Sequence, residues 1–211
     1  MKMTDGKFHT DVPVIFYLDF DGVLNGIDFL RSNQEKIMGR GMMYQLTHSL
    51  DPKCIERLNR ITEVVEPQSM VRIVISSSWG GYPELNSYEY SDYTHNKIVN
   101  KGIVKVLNNL GVNGSVVDFT LKKMSIRTRD LEITHDLAHR MENGNFVDGV
   151  GNSDYTDCHF LILDDLYLEI GNNLQAQHHL RTKESTGIVE EDVARGIEML
   201  TNSPRYHSYK K

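Results

Sequence analysis

Asp19, Asp21, Asp164 and Asp165 are the residues of this 211-residue chain whose type and placing point to chemistry. Asp19-Phe20-Asp21-Gly22 follows the apolar run Val14 to Leu18, and Asp164-Asp165 follows Phe160 to Leu163. Side chains two apart on a strand share a face, so a turn after Asp19 lets Asp19 and Asp21 converge. Carboxylates crowded in a buried place repel one another unless a proton or a cation intervenes. Mg2+ meets that need, because it takes one or two carboxylates and keeps places for water and phosphate oxygens. All four aspartates are therefore candidate metal ligands. Gly22 permits the turn and a close approach of backbone to phosphate. Ser76-Ser77-Ser78-Trp79 follows a third apolar run, Val71 to Ile75. Either Ser76 or Ser77 can offer a hydroxyl to a phosphate oxygen. A cation is still required to offset phosphate charge, and Arg127 or Arg129 can clamp one bidentately. The set suits phosphoryl transfer assisted by a metal.

The elements that must hold these residues can be read from periodicity. Val14 to Leu18, Val71 to Ile75, Ser115 to Phe119 and Phe160 to Leu163 are short apolar runs, as expected of strands buried on both faces. Helices are expected from Asp51-Pro52 through Val65, over Ile98 to Leu110 with Gly111 as the stop, over Thr128 to Met141, and over Glu190 to Leu200. Alternating strands and helices predict an α/β fold of three layers, Rossmann-like, around a mainly parallel sheet. In such sheets ligands gather at the carboxyl ends of the strands, where the aspartates lie. Residues 26–50, 80–96 and 143–157 stand outside the alternation. The ending Tyr206-His207-Ser208-Tyr209-Lys210-Lys211 is polar and expected to fray.

In order and spacing these pieces resemble the haloacid dehalogenase superfamily of phosphohydrolases. Its first motif, D-x-D-G, is met by Asp19, Asp21 and Gly22. Its second, a Ser or Thr ending the second strand, is met by Ser76 or Ser77, and its acidic fourth motif by Asp164-Asp165. The chain looks closest to a small branch found in RNA-repair and phage-type proteins. That pattern runs D-x-D-G-V-L-N, S-S-W, R-x-x-E-I, L-D-D and G-L-x-x-x-x-V. Here stand Arg129-Asp-Leu-Glu132-Ile133 and Gly187-Ile-Val-Glu-Glu-Asp-Val193. One departure is Phe119-Thr120-Leu121, where the family often has Thr-Pro.

The resemblance implies one hydrolase domain over residues 1–211 with a short cap-like insertion at about 26–50. It implies Asp19 as nucleophile forming an aspartyl-phosphate, Asp21 as acid and base, and Arg129, rather than Arg127, as the third-motif cation. Mg2+ would be held by Asp19, the backbone carbonyl of Asp21, and Asp164 or Asp165. The implied substrate is a nucleotide or a nucleic-acid terminal phosphate. A small-metabolite phosphomonoesterase is the alternative with the same chemistry. A non-catalytic, receiver-like phosphate or metal module is an alternative of another class, but it would not need the acid at position 21.

Composition bounds the partners. Lys plus Arg number 23 against 29 Asp plus Glu, a net charge of −6, so broad electrostatic coating of nucleic acid is not expected. A polynucleotide would be recognised locally, at one end. No run approaches the ~20 apolar residues of a membrane span. Cys54 and Cys158 are read as reduced thiols of a cytoplasmic protein. Oligomeric state is not legible here.

Other features read more plainly. Trp79 is expected to be a packing anchor. Tyr82, Tyr88, Tyr90 and Tyr93 suit a loop better than a base-stacking platform. His135 and His139 have the spacing of a zinc helix but lack its Glu, so a solvated helix face is expected. His178-His179 is expected to be an exposed pair. Gly149-Val-Gly151 opens no helix and is no dinucleotide loop. A calcium loop fails because the twelfth position from Asp19 is Leu30.

Overall fold

Five parallel strands cross the middle of the computed structural model, which describes residues 3–38, 41–81, 101–120, 128–143, 157–168, 177–202 and 204–207. The elements in chain order are β1 (Met3–Thr4), β2 (Lys7–His9), β3 (Val14–Leu18), α1 (Ile27–Ser32), α2 (Gln34–Ile37), α3 (Met42–Ser49), α4 (Pro52–Thr62), β4 (Val65–Glu66), β5 (Val71–Ile75), α5 (Lys101–Asn109), β6 (Ser115–Phe119), α6 (Arg129–Asn143), β7 (Asp157–Asp164), β8 (His179–Arg181), α7 (Glu190–Asn202) and β9 (Tyr206–His207). The strand order of the main sheet is β6-β5-β3-β7-β8, with β9 joining the start of β7 antiparallel. This is the expected three-layer α/β/α arrangement.

Every residue of β3 is buried, because both faces of the sheet are covered. Val14, Phe16 and Leu18 face one core with Ile55, Leu58 and Ile61 of α4, Ile103 and Leu107 of α5, and Val193 and Leu200 of α7. Ile15 and Tyr17 face the other core with Ile133, Leu137 and Met141 of α6. The near-continuous apolar runs are thus the signature of a sheet with helices on both sides. Asp51 caps α4 by accepting the Lys53 N–H at 2.9 Å, with Pro52 in the first turn.

Several boundaries differ from expectation. The helix α4 stops at Thr62, and Val65 instead pairs in parallel with Phe8 of β2. The apolar period runs on through Val65, but the β-branched Val64-Val65 pair is drawn into a three-stranded sheet, β1-β2-β4. The strand β7 begins at Asp157, three residues earlier than the apolar run. Tyr206 and His207 do not fray: they pair with Cys158 and Asp157, and the Tyr206 ring meets Phe160 edge-on. Tyr82, Tyr88, Tyr90, Tyr93, Arg127 and Gly149-Val-Gly151 lie outside the described residues.

Within residues 26–50 stand α1, α2 and α3. The first two bury no residue, whereas Leu46 and Leu50 at the end of the segment enter the larger core. The segment leaves and returns at one point, since the Asp51 N–H donates to the Leu24 carbonyl at 2.8 Å.

Candidate active site

Register builds the site. Leu18 pairs with Ile75 on one side and Leu163 on the other, and Ile75 pairs with Phe119. The next residues, Asp19, Ser76, Asp164 and Thr120, therefore form one row across four adjacent strand ends. Three backbone bonds extend the ladder to this level: Asp19 N–H to Leu163, Ser76 N–H to Leu18 and Thr120 N–H to Ile75, at 2.9–3.0 Å. Leu18, Ile75, Phe119 and Leu163 all belong to the core on the α4 side. Alternation turns the row toward the opposite face, where α6 lies.

The helix α6 brings the cation. Its first residue, Arg129, places Nη1 3.1 Å from Asp164 Oδ2 and 3.4 Å from Asp19 Oδ2. A buried polar network fixes the helix against the sheet behind it. The Tyr17 hydroxyl donates to Asp136 at 2.9 Å, and Arg140 Nε donates to the same oxygen at 2.6 Å. Burial, then the Asp136 charge, raises the Tyr17 hydroxyl well above its usual range, so it remains a donor. Tyr17 stands two residues before Asp19, so this network ties α6 to the strand that carries it.

Oxygens of Asp19, Asp164 and Asp165 all lie within 4.8 Å of one another. Asp19 Oδ1 accepts the Phe20 N–H at 2.8 Å, and Asp164 Oδ1 accepts the Leu166 N–H at 3.0 Å. Asp164 is fully buried; burial first and the Asp19 charge second push its carboxyl up to about 7. The same two causes raise Asp165. One guanidinium does not balance three carboxylates so placed. Hard oxygen donors with this unmet charge fit a small divalent cation such as Mg2+. The turn after β3 packs tightly against this cluster: a Cβ on Gly22, at φ +69°, would fall 2.5 Å from Asp165 Cγ.

Asp21 stands apart from that cluster. It is exposed on the turn after β3, where its carboxylate accepts Trp79 Nε1–H at 2.7 Å and Asn25 Nδ2–H at 3.1 Å. Asn25 Oδ1 in turn accepts the Gly22 N–H at 3.1 Å. Trp79 packs on the core, as expected, and also orients Asp21 through its indole N–H. Ser76 is fully buried, and its hydroxyl has no partner among the described residues. Ser77 is buried too, but its hydroxyl accepts the Trp79 N–H at 3.3 Å.

Three residues of the site received no role from sequence reasoning. Asn25 stood inside the D-x-D-G-V-L-N motif without a role. Thr182 donates its hydroxyl to the Gly22 carbonyl at 2.6 Å, holding the turn from a loop 160 residues away. Thr120 closes the row. The His178-His179 pair is a correction. Both rings are buried, His178 stacked on Phe160 at 4.0 Å and His179 facing the Asp164 carbonyl at 3.3 Å. The two-residue repeat of polar type suggested a surface, but β8 pairs with β7 and has α7 packed against it. His135 and His139 are half-buried in the middle of α6 rather than solvated.

Residues 15–193 match the model of a family described as the HAD domain in Swiss Army Knife RNA repair proteins. The match spans every residue of the row and of the acidic cluster. No curated protein and no solved structure gives a match to the chain. Among the described residues no helix is long and apolar enough to cross a membrane.

Proposed function

Because the chain belongs to the HAD domain family of Swiss Army Knife RNA repair proteins, we propose that it is a Mg2+-dependent phosphohydrolase acting on a nucleotide or a nucleic-acid terminal phosphate. The observation that carries this reading is the meeting of Asp19, Asp164 and Asp165 within 4.8 Å, with Arg129 bridging two of them. The nucleic-acid side of the reading is supported by the family's description.

Asp19 serves as nucleophile. One of its carboxylate oxygens bonds to phosphorus while the bond from phosphorus to the ester oxygen breaks. Asp21 gives a proton to the leaving oxygen, then takes one from the water that cleaves the aspartyl-phosphate and regenerates Asp19. Trp79 and Asn25 hold the Asp21 carboxylate in place for both transfers. Asp19, Asp164 and Asp165 would hold Mg2+, with the backbone carbonyl of Asp21. When bound, it would neutralise the carboxylates and draw charge from the phosphoryl oxygens. Arg129 adds a fixed positive charge beside Asp19, where negative charge gathers in the transition state. Ser76 is favoured over Ser77 as the phosphate-binding hydroxyl, because the Ser77 oxygen already accepts a bond from Trp79. Residues 26–50 act as a small cap that leaves the site open to a bulky substrate.

Phosphate release from phenyl phosphate, with and without Mg2+, tests the chemistry. Asp19→Asn is expected to lower turnover on the order of 10³-fold without changing the unfolding midpoint by more than a few degrees. Turnover retained by Asp19→Asn removes it as nucleophile. A panel of 3′-phosphorylated oligonucleotides, 5′-nucleotides and sugar phosphates tests the substrate class, and a preference for sugar phosphates overturns it.

A further inference from the structure

Thr120 is the one member of the strand-end row to which the motifs give no part. It is 3 % exposed, and its hydroxyl has no hydrogen-bond partner among the described residues. Its backbone N–H donates to the Ile75 carbonyl at 3.0 Å. Ser76, beside it on the next strand, has the same unpartnered hydroxyl at 0 % exposure. A buried hydroxyl left unmatched destabilises a fold, so two in adjacent register positions call for an explanation outside the folded chain. Both follow residues of the α4-side core and so turn toward the face that carries Arg129 and the carboxylates. Neighbouring strands are about 4.8 Å apart, which sets Ser76 one step and Thr120 two steps, about 10 Å, from Asp19. Ser76 is within reach of a phosphoryl group on Asp19. Thr120 is one strand farther, where the remainder of the substrate must lie.

We propose that Thr120 is a specificity-determining residue whose hydroxyl donates to an oxygen of the leaving group, such as a sugar oxygen, beyond the phosphoryl group held at Ser76. This rests on the phosphohydrolase reading above. It accounts for a hydroxyl, rather than an apolar side chain, at a position where the fold makes no use of one. A substrate whose leaving group carries no such oxygen gains nothing from it.

The test compares kcat/KM for a nucleoside monophosphate with that for phenyl phosphate in wild type, Thr120→Val and Ser76→Ala. Thr120→Val is expected to lower the ratio of the two about five- to tenfold, the loss of one neutral hydrogen bond. It should leave the unfolding midpoint at or above that of wild type, because an unmatched polar group has been removed. Ser76→Ala should lower both values together and weaken inhibition by inorganic phosphate. Should Thr120→Val fail to fold, Thr120→Ser and Thr120→Ala differ only in the hydroxyl, and the ratio must fall in Ala and recover in Ser. An unchanged ratio overturns the assignment, as does a loss shared equally by phenyl phosphate and inorganic phosphate. A midpoint lowered by several degrees in Thr120→Val shows the hydroxyl bonded within the fold, with the same consequence. If wild type hydrolyses neither ester and binds no phosphate, the phosphohydrolase reading itself fails. If Ser76→Ala behaves as stated and Thr120→Val does not, only Thr120 is removed.

Discussion

At Asp164 three demands fall on one carboxyl group: it is out of water, it faces Asp19, and it receives Arg129. The sequence showed the two aspartates after an apolar strand, and the strand-end rule gave them their place. What it could not show is that Arg129 bridges Asp164 and Asp19, because that contact depends on where α6 docks. Asp21 was legible as a carboxylate but not as one held apart by Trp79 and Asn25. The histidines were misread for a related reason, as polarity in sequence says little about burial at a sheet edge. His159 shows what such burial does. Neither ring nitrogen has a hydrogen-bond partner among the described residues, and Phe8 meets the ring edge-on at 4.9 Å. Burial foremost, then the charges of Arg205 and His178, lower it from 6.5 to about 4, against a smaller opposite pull from Asp11 and Asp157. The unfolded chain then binds a proton that the folded one refuses over that interval. Stability from this group is complete above pH 6.5 and is lost as the pH falls toward 4. His159→Leu should flatten the fall of the unfolding midpoint between those pH values relative to wild type. Parallel profiles for the two proteins would assign the acid sensitivity elsewhere.

Among the elements, those with long apolar periods were readable: α4 with its Asp51 cap, α5 before Gly111, α6, α7 and the strands of the main sheet. The two- and three-residue strands β1, β2, β4, β8 and β9 were not. Strands so short have no period of their own, and their partners decide them. The turn after β3 was readable through its glycine. Gly22 has φ +69°, Thr182 holds its carbonyl, and Asp165 occupies the space a side chain would need. Gly187 serves the matching loop: at φ +67°, a Cβ there would meet Cys54 Sγ and the Val23 carbonyl at 2.8 Å. Gly22→Ala is expected to cost about 1–3 kcal/mol in urea unfolding, from backbone strain and displacement of Asp165. A change under about 0.5 kcal/mol would mean that the turn relaxes freely.

For the molecule as a whole, the net charge of −6 gathers partly in one place. Asp19, Asp164 and Asp165 hold close negative charge that the folded chain offsets with Arg129 alone among the described contacts. Folding therefore works against this repulsion, and a cation that binds only the folded site should oppose unfolding. A hundredfold excess of Mg2+ over its dissociation constant is expected to raise the unfolding midpoint by about 5–10 °C at pH 7.5, reversibly with chelator. Asp164→Asn with Asp165→Asn should abolish most of that shift. An equal shift in the double variant would place the ion elsewhere.

The row Asp19, Ser76, Thr120 and Asp164 is drawn from four strands spread along most of the chain. Any one of these strands alone carries an inert fragment of the site, and no local segment approximates the whole. During synthesis the assembled rim cannot exist until β7 has emerged and slid into register beside β3. Parallel pairings over such sequence distances form late. A growing chain would thus carry no complete rim before β7 has emerged, and a strand slipped by one residue would present Leu18 where Asp19 belongs. On the phosphohydrolase reading proposed above, recovery of turnover after dilution from denaturant would therefore count correctly threaded molecules rather than merely collapsed ones.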